Sequence, residues 1–301
     1  MSEVKKVLFI INKFAGTGFQ PALEGQILTR SEAHDVECQI EFTEGPGHAT
    51  ALARRAVEWN VQRVVAVGGD GTLNEVAQGL INTPIPMGII ARGSGNGLAR
   101  HLCIPLSIPK AIENVFRGSA MAMDTFTLNN KVSLNVSGLG FDGHIANLFG
   151  GKTKRGLTGY AKLTLREFLR FKEFDITISL DGEEINRRAF IVAVANSSQY
   201  GNSACIAPDA SVTDGLLHLN VLKKVPPYRF DFVYAFFAKS IHKSKFAEIR
   251  ESGKFMLSTK FPVPYHVDGE PCGLHDTFNI AVLPNALQVI IPARLPSKRR
   301  I

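Results

Sequence analysis

The segment VVAVGGDGTLNEVAQGL, Val64 to Leu80, holds the residue types that handle phosphate. Gly68-Gly69-Asp70-Gly71-Thr72 joins a run of β-formers to a helical pattern. A sharp strand-to-helix turn offers backbone N–H groups and the positive end of the helix dipole, and glycines let an anion come close to the chain. Asp70 would repel a bare phosphate, so its presence predicts a Mg²⁺ ion or a transferring proton between the two groups. The competing explanation is a tight structural turn with Asp70 as a helix N-cap. The loop is neither GxxxxGK[ST] nor GxGxxG. A second glycine loop, Gly93-Ser94-Gly95-Asn96-Gly97, also links a β-rich run to a helix, and a third, INKFAGTG from Ile11 to Gly18, follows the first strand. Loops after neighbouring parallel strands open on one sheet edge, so the three together predict one nucleotide site.

Two further carboxylates stand in suggestive settings: Asp214 in APDASVTDGLLHL and Glu270 in HVDGEP. A positioned carboxylate can act as a general base, and either Asp70 or Glu270 could serve. Asp-Gly is also a common turn, so Glu270 can equally be a hairpin residue and Asp214 a turn before a strand. His48, His144 and His266 lie near these motifs without any metal-ligand spacing, and read as packing or hydrogen-bonding residues. Cys38, Cys103, Cys205 and Cys272 are scattered, which reads as reduced thiols in a cytoplasmic protein and not as a zinc site.

These loops need a frame. Apolar β-rich runs at Lys6–Ile11, Val36–Thr43, Arg63–Val67 and Pro86–Ile90 alternate with helical patterns at Gln20–Ala33, His48–Asn60, Leu73–Leu80, Asn96–Leu102 and Ile108–Phe116. That alternation predicts a doubly wound α/β domain with a parallel sheet. After about Asp124 the texture becomes β-rich. Phe126–Leu128 and Lys131–Val136 flank Asn129-Asn130, and Asp175–Leu180 and Arg188–Ala195 flank Asp181-Gly182, both hairpin signals. Further strands are expected at Leu216–Leu222, Lys254–Leu257, Tyr265–Val267, Phe278–Val282 and Leu287–Ile291, with helices at Gly159–Phe171 and Arg229–Ser244. The prediction is an α/β domain over residues 1–124 and a β-rich domain, β-sandwich-like or a barrel, over 125–301, touching along a cleft, with the last strand free to return to the first domain.

Hydrophobic residues make up 45% and charged residues 20% of 301, which excludes a disordered chain. No apolar run reaches the roughly 18 residues of a membrane span, and the start has no signal-peptide core, so a cytoplasmic location is expected. The 34 basic and 27 acidic residues leave a net +7, which favours an anionic partner: a nucleotide, a nucleic acid or an acidic membrane surface. Lys152–Lys172 and Tyr228–Lys245 mix basic, aromatic and aliphatic residues, and SKRRI ends the chain. Such stretches either dock transiently on anionic headgroups or are ordinary helices with their apolar faces packed inward. No recognition module for nucleic acid is present. A monomer and a homodimer are equally compatible with the sequence.

GGDGT followed by Asn74-Glu75, then GSGNGLAR, resembles the soluble diacylglycerol kinase and sphingosine kinase family. Thr43 and His48-Ala49 are similar to its T-x₄-HA element, and NVSGLGFDG (Asn135–Gly143), APDASVTDGLLHL (Ala207–Leu219) and HVDGEP (His266–Pro271) to its second-domain motifs. GGDGT is shared with NAD kinases and phosphofructokinases; its combination with GSGN and VDGE is far more selective. The resemblance implies an NAD kinase-like α/β domain, a β-sandwich domain, and ATP- and Mg²⁺-dependent transfer of the γ-phosphate to the hydroxyl of a diacylglycerol- or sphingosine-type lipid presented at a membrane surface. Carried over by position, it implies nucleotide contacts at Asn12, Lys13, Phe14, Ala15, Gly16, Thr43, Gly68, Gly69, Asp70, Gly71, Thr72, Leu73, Asn74 and Ser94. It implies Glu270 as catalytic base, and a structural magnesium on Asp214 with the backbone oxygens of Ser211 and Leu216. Lys13 stands where the family usually has Pro, adding a charge that can pair with phosphate. Gly97 stands where many bacterial members have Asp, which brings the loop closer to the sphingosine kinase form. An NAD kinase or another small-molecule kinase of the GGDGT superfamily is the alternative.

Overall fold

The computed structural model describes residues 5–16, 22–149, 157–226, 228–229 and 237–293, with 157–163 as backbone. Two compact units emerge: Met1–Thr125 together with Pro284–Ile301, and Phe126–Leu283.

The first unit runs β1 (Lys6–Ile11), α1 (Ala22–Ala33), β2 (Glu37–Phe42), α2 (His48–Glu58), β3 (Arg63–Gly68), α3 (Asp70–Leu80), β4 (Met87–Ala91), α4 (Gly97–His101) and α5 (Ile108–Arg117). The strands pair in parallel in the order β2-β1-β3-β4. β3 and β4 are buried along their whole length, as central parallel strands covered on both faces must be. Val7, Phe9, Ile11, Val65 and Val67 pack under Leu23 and Ile27 of α1 and Ala111, Ile112 and Val115 of α5. Helices α2 and α3 meet at Gly79, where a Cβ would lie 2.6 Å from that of Ala53, so only glycine lets the helices approach this closely.

The second unit is β-rich. β5 (Ser119–Leu128) leads into it and turns through Asn129 and Asn130, at φ 48° and 64°, into β6 (Lys131–Ser133). There follow β7 (Val136–Gly140), α6 (Phe141–Phe149), α7 (Leu157–Arg170), β8 (Phe174–Leu180), β9 (Glu183–Ala189), β10 (Ile191–Ala195), β11 (Gln199–Gly201), β12 (Ala204–Cys205), β13 (Leu217–Leu222), a 3-10 turn at Ile241–Lys243, β14 (Ala247–Ser252), β15 (Lys254–Val267) and β16 (Glu270–Ile291). An antiparallel path β14-β13-β10-β7 reaches the second half of β15, at Tyr265 and His266. The first half of β15 pairs with β8 instead, at Met256–Thr259, and β8 pairs with β9. The register of β15 shifts between Ser258 and Val263, so one strand serves both layers of the sandwich. Between the layers lie Phe126, Leu139, Ile176, Val192, Leu219, Phe255 and Phe278. The end of β16 lies in the first unit, where Val289 pairs in parallel with Met87 and the Asn285 amide donates to Asp124 at 2.7 Å.

Several boundaries differ from those expected. Helix α3 starts at Asp70, not Leu73. The Asp181-Gly182 turn joins β8 to β9, not to Arg188–Ala195, which divides between β9 and β10. The charges of EEINRRA hid β9, and those of AEIRES hid β14; both strands face solvent along much of their length, where side-chain polarity costs nothing. The pairs 254–257 with 265–267 and 278–282 with 287–291 are each one continuous strand. Helix α6 was not foreseen. Residues 230–236 of the helix expected over Arg229–Ser244 lie outside the described residues, and its end is the 3-10 turn at Ile241–Lys243.

Candidate active site

In the order β2-β1-β3-β4 the chain leaves β1 toward one side and β3 toward the other, so the sheet changes direction between them. The carboxyl edge at such a switch point opens into a crevice. Asn12 follows β1 there, and its Nδ2 donates to Thr72 Oγ1 in α3 at 3.0 Å, tying the two sides together. Its backbone N–H reaches the Val67 carbonyl at 3.0 Å, and its Oδ1 accepts from the Phe14 amide at 2.9 Å. Gly16 has φ 68°, and a Cβ on it would run into the Arg92 carbonyl oxygen. Thr43, buried, follows β2 and donates its amide to Ile11. Lys13 holds its ammonium 3.7 Å from the centre of the Phe42 ring, and Phe14 projects outward, 83% exposed.

The two central glycine loops are joined. Gly69 is the N-cap of α3, in an extended conformation and with no side-chain cap. Asp70 is therefore the first helical residue, not the cap. Its carboxylate leaves its own helix: Oδ2 accepts the Asn96 amide at 3.1 Å, and Asn96 Oδ1 accepts the Gly93 amide at 2.8 Å. Asn96 takes the left-handed conformation, φ 52°, that the short side chain of asparagine tolerates. The Arg92 amide closes onto the Gly68 carbonyl at 2.7 Å. A Cβ on Gly93 would stand 2.9 Å from the Gly69 Cα, and one on Gly68 would stand 2.6 Å from Thr72 Cβ. The glycines thus serve loop-to-loop contact as well as access. The amides of Gly71 and Thr72 fall in the first turn of α3, which has no intrahelical acceptor for them. Leu73 is a core residue, 1% exposed, so it offers a ligand only backbone. Asn74 accepts from Gln78, and Ser94 is exposed.

Glu270 belongs to the second unit. Asp268 and Gly269, at φ 48° and 87°, form a two-residue turn closed by the pair Val267 and Glu270. Glu270 is exposed directly after this turn, and Pro271 behind it restricts it to extended backbone. The Asp268 carboxylate accepts from Ser133 Oγ at 2.6 Å and from the amides of Leu134 and Asn135 at 2.8 and 3.0 Å. It therefore anchors the turn instead of meeting solvent.

Residues 6–128 match the diacylglycerol kinase catalytic domain. Residues 136–291, over half the chain, match the YegS C-terminal NAD kinase beta sandwich-like domain. The chain belongs to the diacylglycerol kinase and YegS family of lipid kinases. A Yersinia enterocolitica protein named "Probable lipid kinase YegS-like" is 30% identical over 276 residues, 85% of this chain and 88% of its own length. A protein of the same name from Citrobacter koseri aligns over 99% of this chain and its own full length at 29% identity. The crystal structure of a diacylglycerol kinase from Bacillus anthracis str. Sterne shares the fold, with a TM-score of 0.76 at 21% identity over 97% of this chain and 99% of that one.

This lipid kinase places the remaining predicted residues, Ser211, Asp214 and Leu216, in one short loop before β13. Asp214 Oδ1 accepts the Leu216 amide at 3.0 Å, and Ser211 Oγ lies 3.1 Å from Thr213 Oγ1. Among the described residues no three His, Cys, Asp or Glu side chains are grouped to hold a metal. Two residues read only as parts of their loops take on tertiary contacts: Asn96 links the two glycine loops, and Asp268 anchors the hairpin. The signal for each was its setting, an Asn or Asp beside glycine, which favours left-handed turns.

Proposed function

We propose that this lipid kinase transfers the γ-phosphate of ATP to the hydroxyl of a diacylglycerol- or sphingosine-type lipid, with Mg²⁺. The reading is carried by the bond sequence Asp70–Asn96–Gly93, which holds two glycine loops together at the carboxyl edge of the parallel sheet. Phosphoryl transfer needs positioned donors and charge neutralisation more than covalent chemistry. The first turn of α3 supplies donors and a favourable dipole, and Asn12 fixes the neighbouring loop through Thr72. Mg²⁺ would neutralise phosphate charge, with Asp70 as the carboxylate that would hold it; a separate, structural Mg²⁺ would sit on Asp214 with the backbone oxygens of Ser211 and Leu216. Glu270 takes the proton of the acceptor hydroxyl. Gly97 in place of the common bacterial Asp keeps a sphingosine-type acceptor within the proposal.

The acceptor is taken from a membrane surface. On α7, Phe168 packs inward with Phe141 and Phe190, while Leu165 and Leu169 remain 59% and 56% exposed beside Arg166 and Arg170. Exposed leucines interleaved with arginines suit an anionic lipid surface. No helix among the described residues is long and apolar enough to cross a membrane.

Purified protein given labelled ATP and Mg²⁺ should phosphorylate vesicles containing diacylglycerol, sphingosine, ceramide or phosphatidylglycerol selectively, and NAD not at all. Label appearing on NAD and on no lipid would reject the reading.

A further inference from the structure

Helix α6 is pressed onto the hairpin that bears Glu270. A Cβ on Gly143 would stand 2.6 Å from the Tyr265 Cα of β15, so glycine is required for this approach. From α6, Asn147 reaches both strands of the hairpin: Nδ2 lies 3.4 Å from the Tyr265 carbonyl, and Oδ1 accepts the Gly273 amide at 3.2 Å. Asp142 grips the turn itself, through a histidine. The Gly269 amide donates to His266 Nδ1 at 3.0 Å, so the ring carries its proton on Nε2 and donates it to Asp142 Oδ2 at 3.3 Å.

The far side of Asp142 is also fixed. Its Oδ1 accepts the Gly143 amide at 2.8 Å, and Tyr200 donates its hydroxyl to Oδ2 at 3.2 Å. Burial first, and the adjacent carboxylate second, push the Tyr200 phenol well above its usual range, so it stays a donor. Gly138 on β7 leaves the room this carboxylate occupies, since a Cβ there would lie 2.8 Å from Asp142 Cγ. The His266 ring is 3% exposed and spans the gap between Asp142 and the turn.

We propose that His266 and Asp142 are positioning residues for the kinase reaction: the imidazole, oriented by Asp142, locks the Gly269 peptide and so fixes the direction in which Glu270 leaves the turn. This rests on the reading of Glu270 as the proton acceptor. Neither His266 nor Asp142 touches the reacting atoms. Angular placement of a base is worth as much as its presence, because a displacement of about 1 Å can lower a rate by about 100-fold.

The test uses two isosteric halves of the ring. His266→Asn keeps an acceptor where Nδ1 stood, facing Gly269; His266→Gln keeps a donor where Nε2 stood, facing Asp142. His266→Gln should lower kcat about 10–100-fold with the KM for ATP and for lipid little changed. His266→Asn, with the turn bond retained, should keep several-fold more activity than His266→Gln. Placed on Glu270→Gln, His266→Gln should cause no further loss, since both act through one group. A normal kcat in His266→Gln, or a full multiplicative loss on the Glu270→Gln background, would overturn the positioning role while leaving Glu270 as base. Normal turnover in Glu270→Gln would remove the base and the relay together.

Discussion

Both motif regions use carboxylate bonds and close glycine contacts, and they differ in what meets at the loop itself. At the sheet edge of the first unit, loops touch through glycine backbone, with Gly69 so close to Gly93 that a methyl on Gly93 would not fit. In the second unit the turn before Glu270 is held by side chains: Asp268 binds the segment 133–135, and His266 reaches Asp142. The difference follows the proposed tasks. A triphosphate is large, charged and met by many amides, so the chain must be bare where it approaches. A proton acceptor is one carboxylate, and it needs a direction, which buried hydrogen-bonded side chains supply.

This contrast can be broken from either side. The largest effect is expected of Glu270→Gln, which should lower kcat by about 10²–10⁴-fold. Its ATP affinity, read by calorimetry, should stay that of the wild type; weakened ATP binding would place Glu270 in the nucleotide site instead. Asp268→Ala removes a carboxylate accepting three bonds and should cost about 2–3 kcal/mol in chemical denaturation. Its kcat should fall while its ATP affinity persists. Gly93→Ala acts in reverse: overpacking of about 1–3 kcal/mol against Gly69 should appear mainly as weaker ATP binding. Equal loss of kcat at saturating ATP would show that the glycine contact serves more than the nucleotide.

The smallest effect concerns an ion pair remote in sequence from both motifs. Arg187 binds Glu248 through two bonds, 2.6 and 3.0 Å, and that hydrogen bonding holds the Glu248 carboxyl below its ordinary value. A depressed folded-state pKa stabilises the protein above the ordinary glutamate range and loses this contribution as pH falls through the lowered value. Arg187→Gln should therefore lower Tm slightly at pH 7 and converge with the wild type in acid. A constant difference across pH would assign the loss to packing. Both kinase activities, ATP binding and turnover, should be untouched by it.

Legibility in the sequence tracked how local the determinants are. β1 and α2 start where the periodicity predicts, and β3 overruns the predicted Arg63–Val67 by one residue, because buried parallel strands and amphipathic helices declare themselves within ten residues. The Asn129-Asn130 turn was readable for the same reason: two residues set its geometry. In contrast, β15 and β16 each appeared as two strands. Their middles carry polar and proline residues that are acceptable only because the partner strands change along their length. Helix α6, with two residues (Gly143 and His144) that weaken helices, forms where Phe141 packs on Phe190 and Gly143 on β15, contacts between segments far apart in the chain.

The same division holds at the motifs. Residue type and spacing determined that Gly68–Thr72, Gly93–Gly97 and the segment 266–271 would be sharp turns, since the left-handed and extended conformations of glycine, asparagine and aspartate are local properties. Only the tertiary structure decided what each polar side chain does there. Asp70 has the composition of a helix cap or a metal ligand, yet its Oδ2 holds Asn96, 26 positions away; Asp268 reads as a turn residue, yet binds residues 133 positions back and more. A carboxylate takes the donors that folding brings within about 3 Å, and which donors arrive is set by the packing of the whole chain.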